Sequence, residues 1–338
     1  MKLLELTKYD LIEYIGNGAF GVVYQAHDRA LNAIKAVKIL KAHNPDDVIS
    51  QLEEAQILHK CKHKNIVLVN EANIYEIDSI PHIVIDMEYL SDGSLEQAIN
   101  NRSLSINVSI QIIMDALFGL EHAHFIGVLH RDIKPANILL SGNIGKLSDF
   151  GLATILGERS AGSSNGYVTH LPPEFFFEKN TTELTDVFAM GMTLFRAVNY
   201  VKDWDNVIES IDDHIDLVHS GGLVSKIGYK PFIPTKLIRI INKAISPNPD
   251  KRYQSAREFC NTLAKLRPNI DWRLESDTSF IGNKANDIYH IELLSAGSSF
   301  RVNVRRNARK INADCRHFSN QKDAYKYLYG YVSNSQFN

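Results

Sequence analysis

Apolar and polar positions change rhythm twice along the 338 residues. In the first ~90 residues, period-two alternation marks strands. Tyr9–Ile15 and Gly21–His27 read as strands on either side of a glycine-rich turn, and Ala33–Leu40 and Ile80–Tyr89 read as two more. Val48–Lys60 has helical spacing, with Leu52, Ala55, Ile57 and Leu58 apolar. From Ser94 the period becomes helical: Ile106–Phe125, Thr185–Asn199, Thr235–Ala244 and Ser255–Leu266 each carry one apolar face. A helix stop followed by Pro268 suggests a boundary at Leu266–Arg267–Pro268. Strand patterning then returns. Tyr289, Ile291 and Leu293 alternate with polar residues, as do Phe300, Val302 and Val304, and Ala296–Ser299 forms the turn between the two runs. A third alternation is expected at Ile311, Ala313 and Cys315, and a helix over Asn320–Val332. The fold class is therefore α+β: a β-rich lobe, a helical lobe, then a small antiparallel sheet with one helix.

Composition narrows the classes. The formal net charge of -2 argues against nucleic-acid binding by the whole chain. The most apolar stretch, Ile106 to Val128, is interrupted by Asn107, Gln111, Asp115, Glu121 and two histidines, so no membrane span is expected. Three separated cysteines lack metal-ligand spacing and suggest reduced thiols in a cytoplasmic protein. Charge is uneven. Residues 268–338 carry ten Lys/Arg against seven Asp/Glu, and the preceding 267 carry twenty-seven against thirty-two. The bases gather at Arg301, Arg305, Arg306, Arg309 and Lys310. They form either a solvated sheet face or a docking patch for an acidic, phosphorylated or nucleic-acid partner.

Three motifs carry chemistry. Gly16-Asn17-Gly18-Ala19-Phe20-Gly21 lies between two strands, where glycine amides can approach phosphate closely. The strand that follows it counts against a dinucleotide fingerprint, which needs a helix there. Lys35 and Lys38 stand three apart in the next strand and so face opposite ways. Lys38 shares its face with Ala36, and Glu54 on the following helix is a candidate partner for it. The third motif is His130-Arg131-Asp132-Ile133-Lys134-Pro135-Ala136-Asn137, followed by Asp149-Phe150-Gly151. An Asp and an Asn five apart can serve as base and metal ligand, and carboxylate and carboxamide oxygens suit Mg2+.

In this order the motifs resemble the eukaryotic-type (Hanks-type) serine/threonine protein kinases, from about Tyr9 to Leu266. The resemblance implies a bilobal kinase domain over residues 1–267, with an N-lobe at about 9–88 and a C-lobe at about 89–267, and an unrecognised accessory domain over 268–338. It implies transfer of the ATP γ-phosphoryl group to protein hydroxyls, with ATP and Mg2+ as cofactors. Gly16, Gly18 and Gly21 would cover the phosphates, and Lys38 would grip them and pair with Glu54. Asp132 would take the substrate proton, Lys134 would steady the γ-phosphate, and Asn137 and Asp149 would bind Mg2+. Val23, Ala36 and Leu139 would sandwich the adenine, with Met87 as gatekeeper and Glu88 and Leu90 offering backbone hydrogen bonds. Asp186 resembles the residue that braces the catalytic loop, and Glu174 and Arg252 an ion pair of the C-lobe. Leu152–Leu171 would be the activation loop, with autophosphorylation expected within Ser160–Thr169. Two positions depart from the family: Tyr167 replaces a threonine and His170 a tyrosine, and Thr169 is a candidate for the threonine's role in a shifted register. His122 and His124 read as packing residues of their helix. Two other classes share these features: a pseudokinase scaffold and a kinase-like small-molecule phosphotransferase.

Overall fold

The computed structural model describes residues 6–17, 21–41, 45–77, 80–101, 104–150, 154–155, 168–297 and 299–338, without the side chains at 17, 45–48, 50, 51, 54, 58, 154, 155 and 296. The first lobe is an antiparallel sheet of β1 (Tyr9–Asn17), β2 (Val22–Asp28), β3 (Ala33–Lys41), β4 (Val69–Ile77) and β5 (Ile80–Glu88), in the order β1-β2-β3-β5-β4. Helix α1 (Pro45–Lys60) joins β3 to β4. The period of two sorts β3 cleanly. Val37 and Ile39 bury into a small outer core with Leu6, Tyr9, Ala26 and Val84, while Leu40 joins the main core. Strand β4 is absent from the sequence expectations. It is an edge strand that exposes Asn73 and Ile74 and carries Glu71 and Glu76, so its apolar alternation is weak.

The second lobe contains α2 (Leu95–Asn101), α3 (Ile106–Phe125), α4 (Pro173–Glu178), α5 (Glu183–Val198), α6 (Trp204–Glu209), α7 (His214–Ser220), α8 (Leu223–Ile227), α9 (Thr235–Ala244) and α10 (Ala256–Leu263). Between α3 and α4 the described residues form four short strands: β6 (Val128–Leu129), β7 (Ile138–Ser141), β8 (Ile144–Leu147) and β9 (Thr154–Ile155). β7 and β8 form a hairpin, and β6 pairs with β9. Every residue of helix α5 from Thr185 to Val198 is buried, with Asp186 and Arg196 as its buried charged groups. Thr182 caps it, with Thr185 reaching back to the Thr182 N–H. Among the described residues, no helix is long and apolar enough to cross a membrane.

The chain continues into β10 (Asp271–Ser276), β11 (Ser279–Lys284), β12 (Asp287–Ala296), β13 (Ser299–Arg306), β14 (Arg309–Lys310) and β15 (Arg316–Phe318), all antiparallel, and ends with α11 (Gln321–Ser335). Trp272, Phe280, Ile291, Val302 and Val304 bury one sheet face, together with Ala324, Leu328 and Val332 of α11. The third alternation is corrected here. Asn312–Asp314 is a 3-10 turn between β14 and β15, not part of a strand. Tyr327 and Tyr331 of α11 donate to the Asp314 carbonyl and carboxylate at 2.7 and 2.9 Å, and these bonds hold the turn down. The core is continuous across Pro268. Tyr200, Phe232, Phe280 and Tyr329 pack in sequence, with ring centroids 5.9, 5.2 and 6.2 Å apart.

Candidate active site

The roof of the cleft is one face of the first sheet. Val23 pairs with Lys38 and Ala36 with Met87 in register, so these four side chains share a face. Lys38 is nearly fully buried, and its Nζ lies 3.0 Å from Asp149 Oδ1. Lys35 turns the other way, with its Nζ 3.8 Å from Asp86 Oδ1, as the strand period requires. Gly21 is the only residue its position admits, since a Cβ there would sit 2.4 Å from the Ile39 carbonyl oxygen. At Gly16 a Cβ would meet nothing within 4 Å among the described residues. Gly18 and the Glu54 side chain lie outside the described residues. Glu88 is tied by its carboxylate, which accepts from Lys146 Nζ at 2.7 Å and from the Leu68 N–H at 2.8 Å. Leu90 follows β5 and is half-buried, and Leu139 on β7 bridges to Ser94.

The floor is the loop after β6. Asp132 is 5% exposed. Its Oδ2 accepts from Lys134 Nζ at 2.8 Å and from Asn137 Nδ2 at 2.9 Å. Its Oδ1 is buried and, among the described residues, has no hydrogen-bond donor. Such an acceptor is costly unless something else supplies a proton. Arg131 and Asp149 both adopt left-handed backbone, with φ of 69° and 56°. Strain of this kind in residues other than glycine concentrates at functional sites.

A buried carboxylate holds the loop in place. Asp186 Oδ2 accepts from the His130 N–H at 2.9 Å, and Oδ1 accepts from the Arg131 N–H at 2.8 Å. Burial alone would raise the Asp186 pKa, but the His124 hydrogen bond and neighbouring charges outweigh it and hold the carboxyl below its ordinary value. His124 Nε2 lies 2.8 Å from Asp186 Oδ2. It is therefore more than the packing residue the helix pattern suggests, and nothing local in the sequence signals the bond. His122 does pack, stacked on His63. His130 meets the Ser148 carbonyl at 3.0 Å, and its ring centroid is 4.5 Å from that of Phe150.

Glu174 and Arg252 pair through two bonds of 2.5 and 2.6 Å, with the arginine side chain fully buried. Most of the expected activation loop lies outside the described residues, but its end is visible. Thr169 Oγ1 accepts from Trp204 Nε1 at 2.9 Å and lies 3.3 Å from His170 Nδ1. The His170 ring sits edge-on to Trp204, whose other neighbour is the Arg196 guanidinium at 4.6 Å from the ring centroid. Trp204 is thus a second anchor that the sequence alone does not reveal. In the C-terminal sheet, Arg305 and Arg306 each approach an acid on β12, Glu292 at 2.9 Å and Asp287 at 4.0 Å. Arg309 and Lys310 stay exposed.

The donor chemistry fits a hard divalent cation. Asn137 spends its amide N–H groups on Asp132, its Nδ2 also donating to the Asp132 carbonyl at 2.8 Å, which leaves the carboxamide oxygen for other use. Asp149 supplies a carboxylate across the cleft floor. Among the described residues no trio of His, Cys, Asp or Glu gathers closely enough to cage an ion. Mg2+ suits such an open set, because it keeps waters and takes phosphate oxygens.

Residues 9–263 match the protein kinase domain family. The chain is 32% identical to a probable serine/threonine-protein kinase PknB of Lactococcus lactis subsp. lactis (strain IL1403), over 83% of this chain and 45% of the relative. It is 31% identical to the serine/threonine-protein kinase PrkC of Bacillus subtilis (strain 168), over 75% and 39%. It is 29% identical to the serine/threonine-protein kinase PknB of Mycolicibacterium smegmatis, over 77% and 43%. The chain spans less than half the length of these curated relatives.

Proposed function

The chain belongs to the protein kinase domain family, and we propose that it transfers the γ-phosphoryl group of ATP to serine or threonine hydroxyls of proteins. The observation that carries this reading is Asp132, with one oxygen fixed by two donors and the other without a donor among the described residues. The substrate hydroxyl would donate to the Asp132 carboxylate while its oxygen attacks the γ-phosphorus in line. The bond from that phosphorus to the β–γ bridging oxygen breaks, ADP leaves, and the proton passes to Asp132. Lys134, 2.8 Å from Asp132 Oδ2, would place its charge beside the transferring group. Lys38 would neutralise the phosphates beneath the glycine loop of Gly16, Gly18 and Gly21, with Glu54 as its partner on α1. Val23, Ala36, Met87 and Leu139 would hold the adenine between roof and floor, with the Glu88 and Leu90 backbone at its edge. Asn137 and Asp149 would hold magnesium, which when bound neutralises charge on the β- and γ-phosphate oxygens.

Three further parts of the reading are proposals. Thr169 is engaged with Trp204, so we assign the candidate autophosphorylation sites to Ser160, Ser163 and Ser164. Cys61, Cys260 and Cys315 are free thiols, which supports a reducing, cytoplasmic setting. The exposed pair Arg309 and Lys310 would suit an acidic partner. The test is incubation with γ-labelled ATP and magnesium, offering protein and small-molecule acceptors side by side, followed by mass spectrometry of the chain itself. Label on protein serine or threonine supports the reading. Label on small molecules alone, or none anywhere, overturns it.

A further inference from the structure

Asp271 is a partly buried carboxylate that the phosphotransfer site does not touch. It lies at the start of β10, yet both its oxygens serve the N-terminus of α3. Oδ2 accepts from Ser105 Oγ at 2.7 Å, and Oδ1 accepts from the Asn107 N–H at 3.3 Å. Ser105 is the N-cap of α3, and its Oγ in turn accepts from the Val108 N–H at 3.1 Å. The first N–H groups of a helix have no partners within it, and the helix dipole favours an anion there. The cap of α3 is therefore composite: one half is local, and the other comes from the C-terminal sheet. Gln336, fully buried after α11, fastens the same point. Its Nε2 donates to Asn107 Oδ1 at 3.1 Å, and its Oε1 accepts from the Trp272 N–H at 3.3 Å.

Burial pushes the Asp271 carboxyl above its ordinary value, against the hydrogen bonds that favour the anion. A charge held against desolvation contributes little net stability, so its contribution lies in fixing geometry. The geometry it fixes leads to the catalytic loop. At the far end of α3, His124 meets Asp186, the carboxylate that holds the His130 and Arg131 N–H groups. Midway, Asp115 Oδ2 accepts from the Gly145 N–H at 3.3 Å, on the strand just before Asp149. One helix joins the seam of the two domains to both halves of the catalytic floor.

We propose that Asp271 is a positioning residue of the kinase and that residues 268–338 are a fixed brace for α3, not a loosely tethered module. This rests on the phosphotransfer reading, and wild-type transfer measured in parallel separates the two. If the wild type is inactive, the reading itself fails. The experiment uses the full chain with Asp271→Ala, Asp271→Asn and, as a neighbour on the same strand, Arg273→Ala. It measures kcat and the KM for ATP well below the unfolding temperature, and amide exchange by mass spectrometry. Asp271→Ala lowers kcat severalfold, leaves KM for ATP unchanged, and speeds exchange at residues 106–109 and 130–137. Asp271→Asn, which keeps an acceptor, recovers most of the loss, and Arg273→Ala behaves as wild type. Should Asp271→Ala not fold, Gln336→Ala removes the Asn107 anchor together with the acceptor of the Trp272 N–H, keeps the Asp271 carboxylate, and shifts the same readouts in the same direction, less strongly. Wild-type kcat in an active chain carrying Asp271→Ala or Gln336→Ala, or faster exchange confined to residues 268–338, overturns the proposal.

Discussion

Asp132 is buried and Asp271 partly buried, and the structure treats the two carboxylates in opposite ways. Asp132 crowds two donors onto Oδ2 and leaves Oδ1 with none among the described residues. Asp271 gives each oxygen a donor. A buried acceptor without a donor costs stability. A satisfied one orders the groups around it. On the proposed reading, the loop of Asp132 awaits a reacting partner, whereas Asp271 orders the start of α3.

That contrast breaks most visibly at Asp132. Asp132→Ala is expected to lower phosphotransfer by roughly 10²–10⁴-fold, with the thermal midpoint little changed. Steady-state transfer and calorimetry on one preparation check this. Unfolding that falls in step with activity would erase the distinction. Next comes Glu174, whose loss would strand the buried Arg252 guanidinium. Glu174→Ala is expected to cost about 3–5 kcal/mol in a urea titration, which puts it with the constructional charges.

His170 sharpens the comparison through pH. Burial first, then the charges of Arg196 and Lys134, hold its pKa well below the ordinary 6.5. The folded state therefore prefers the neutral ring, while the unfolded chain protonates near the ordinary value. The stability this group contributes is complete above pH 6.5 and declines as the pH falls below it. The decline approaches about 1.4 kcal/mol per pH unit. His170→Gln should flatten that part of the slope in urea titrations between about pH 6.5 and 5. An unchanged slope would mean that the ring is not held neutral. The smallest effect is at Asn320, whose side chain caps α11 by accepting from the Asp323 N–H at 2.9 Å. Asn320→Ala should cost about 1 kcal/mol. If the C-terminal sheet is part of the catalytic unit, calorimetry shows one transition shifted as a whole; a separate early transition would count against the brace.

The residues proposed for the catalytic floor stand out in the sequence for a chemical reason. Asp132, Asn137 and Asp149 supply particular oxygens, and they lie within one short stretch. Strand period places Lys35 and Lys38 on opposite faces, and their distances to Asp86 and Asp149 agree with that, while the phosphate role of Lys38 comes from the family resemblance. The bilobal order and the final sheet with its helix are also readable, because each element buries a regular face. Other features leave no local trace. β4 is a polar edge, and the Asn312–Asp314 turn is held by tyrosines of a distant helix. The bonds of His124 to Asp186, Trp204 to Thr169 and Ser105 to Asp271 join residues 62, 35 and 166 positions apart. Each partner alone reads as an ordinary polar or aromatic side chain.

The most direct test of the account is transfer of γ-labelled phosphate by Asp132→Asn, in a sample whose magnesium-dependent ATP binding has been verified by titration. The account predicts wild-type nucleotide affinity and transfer reduced to background. Transfer at the wild-type rate from that variant would contradict it.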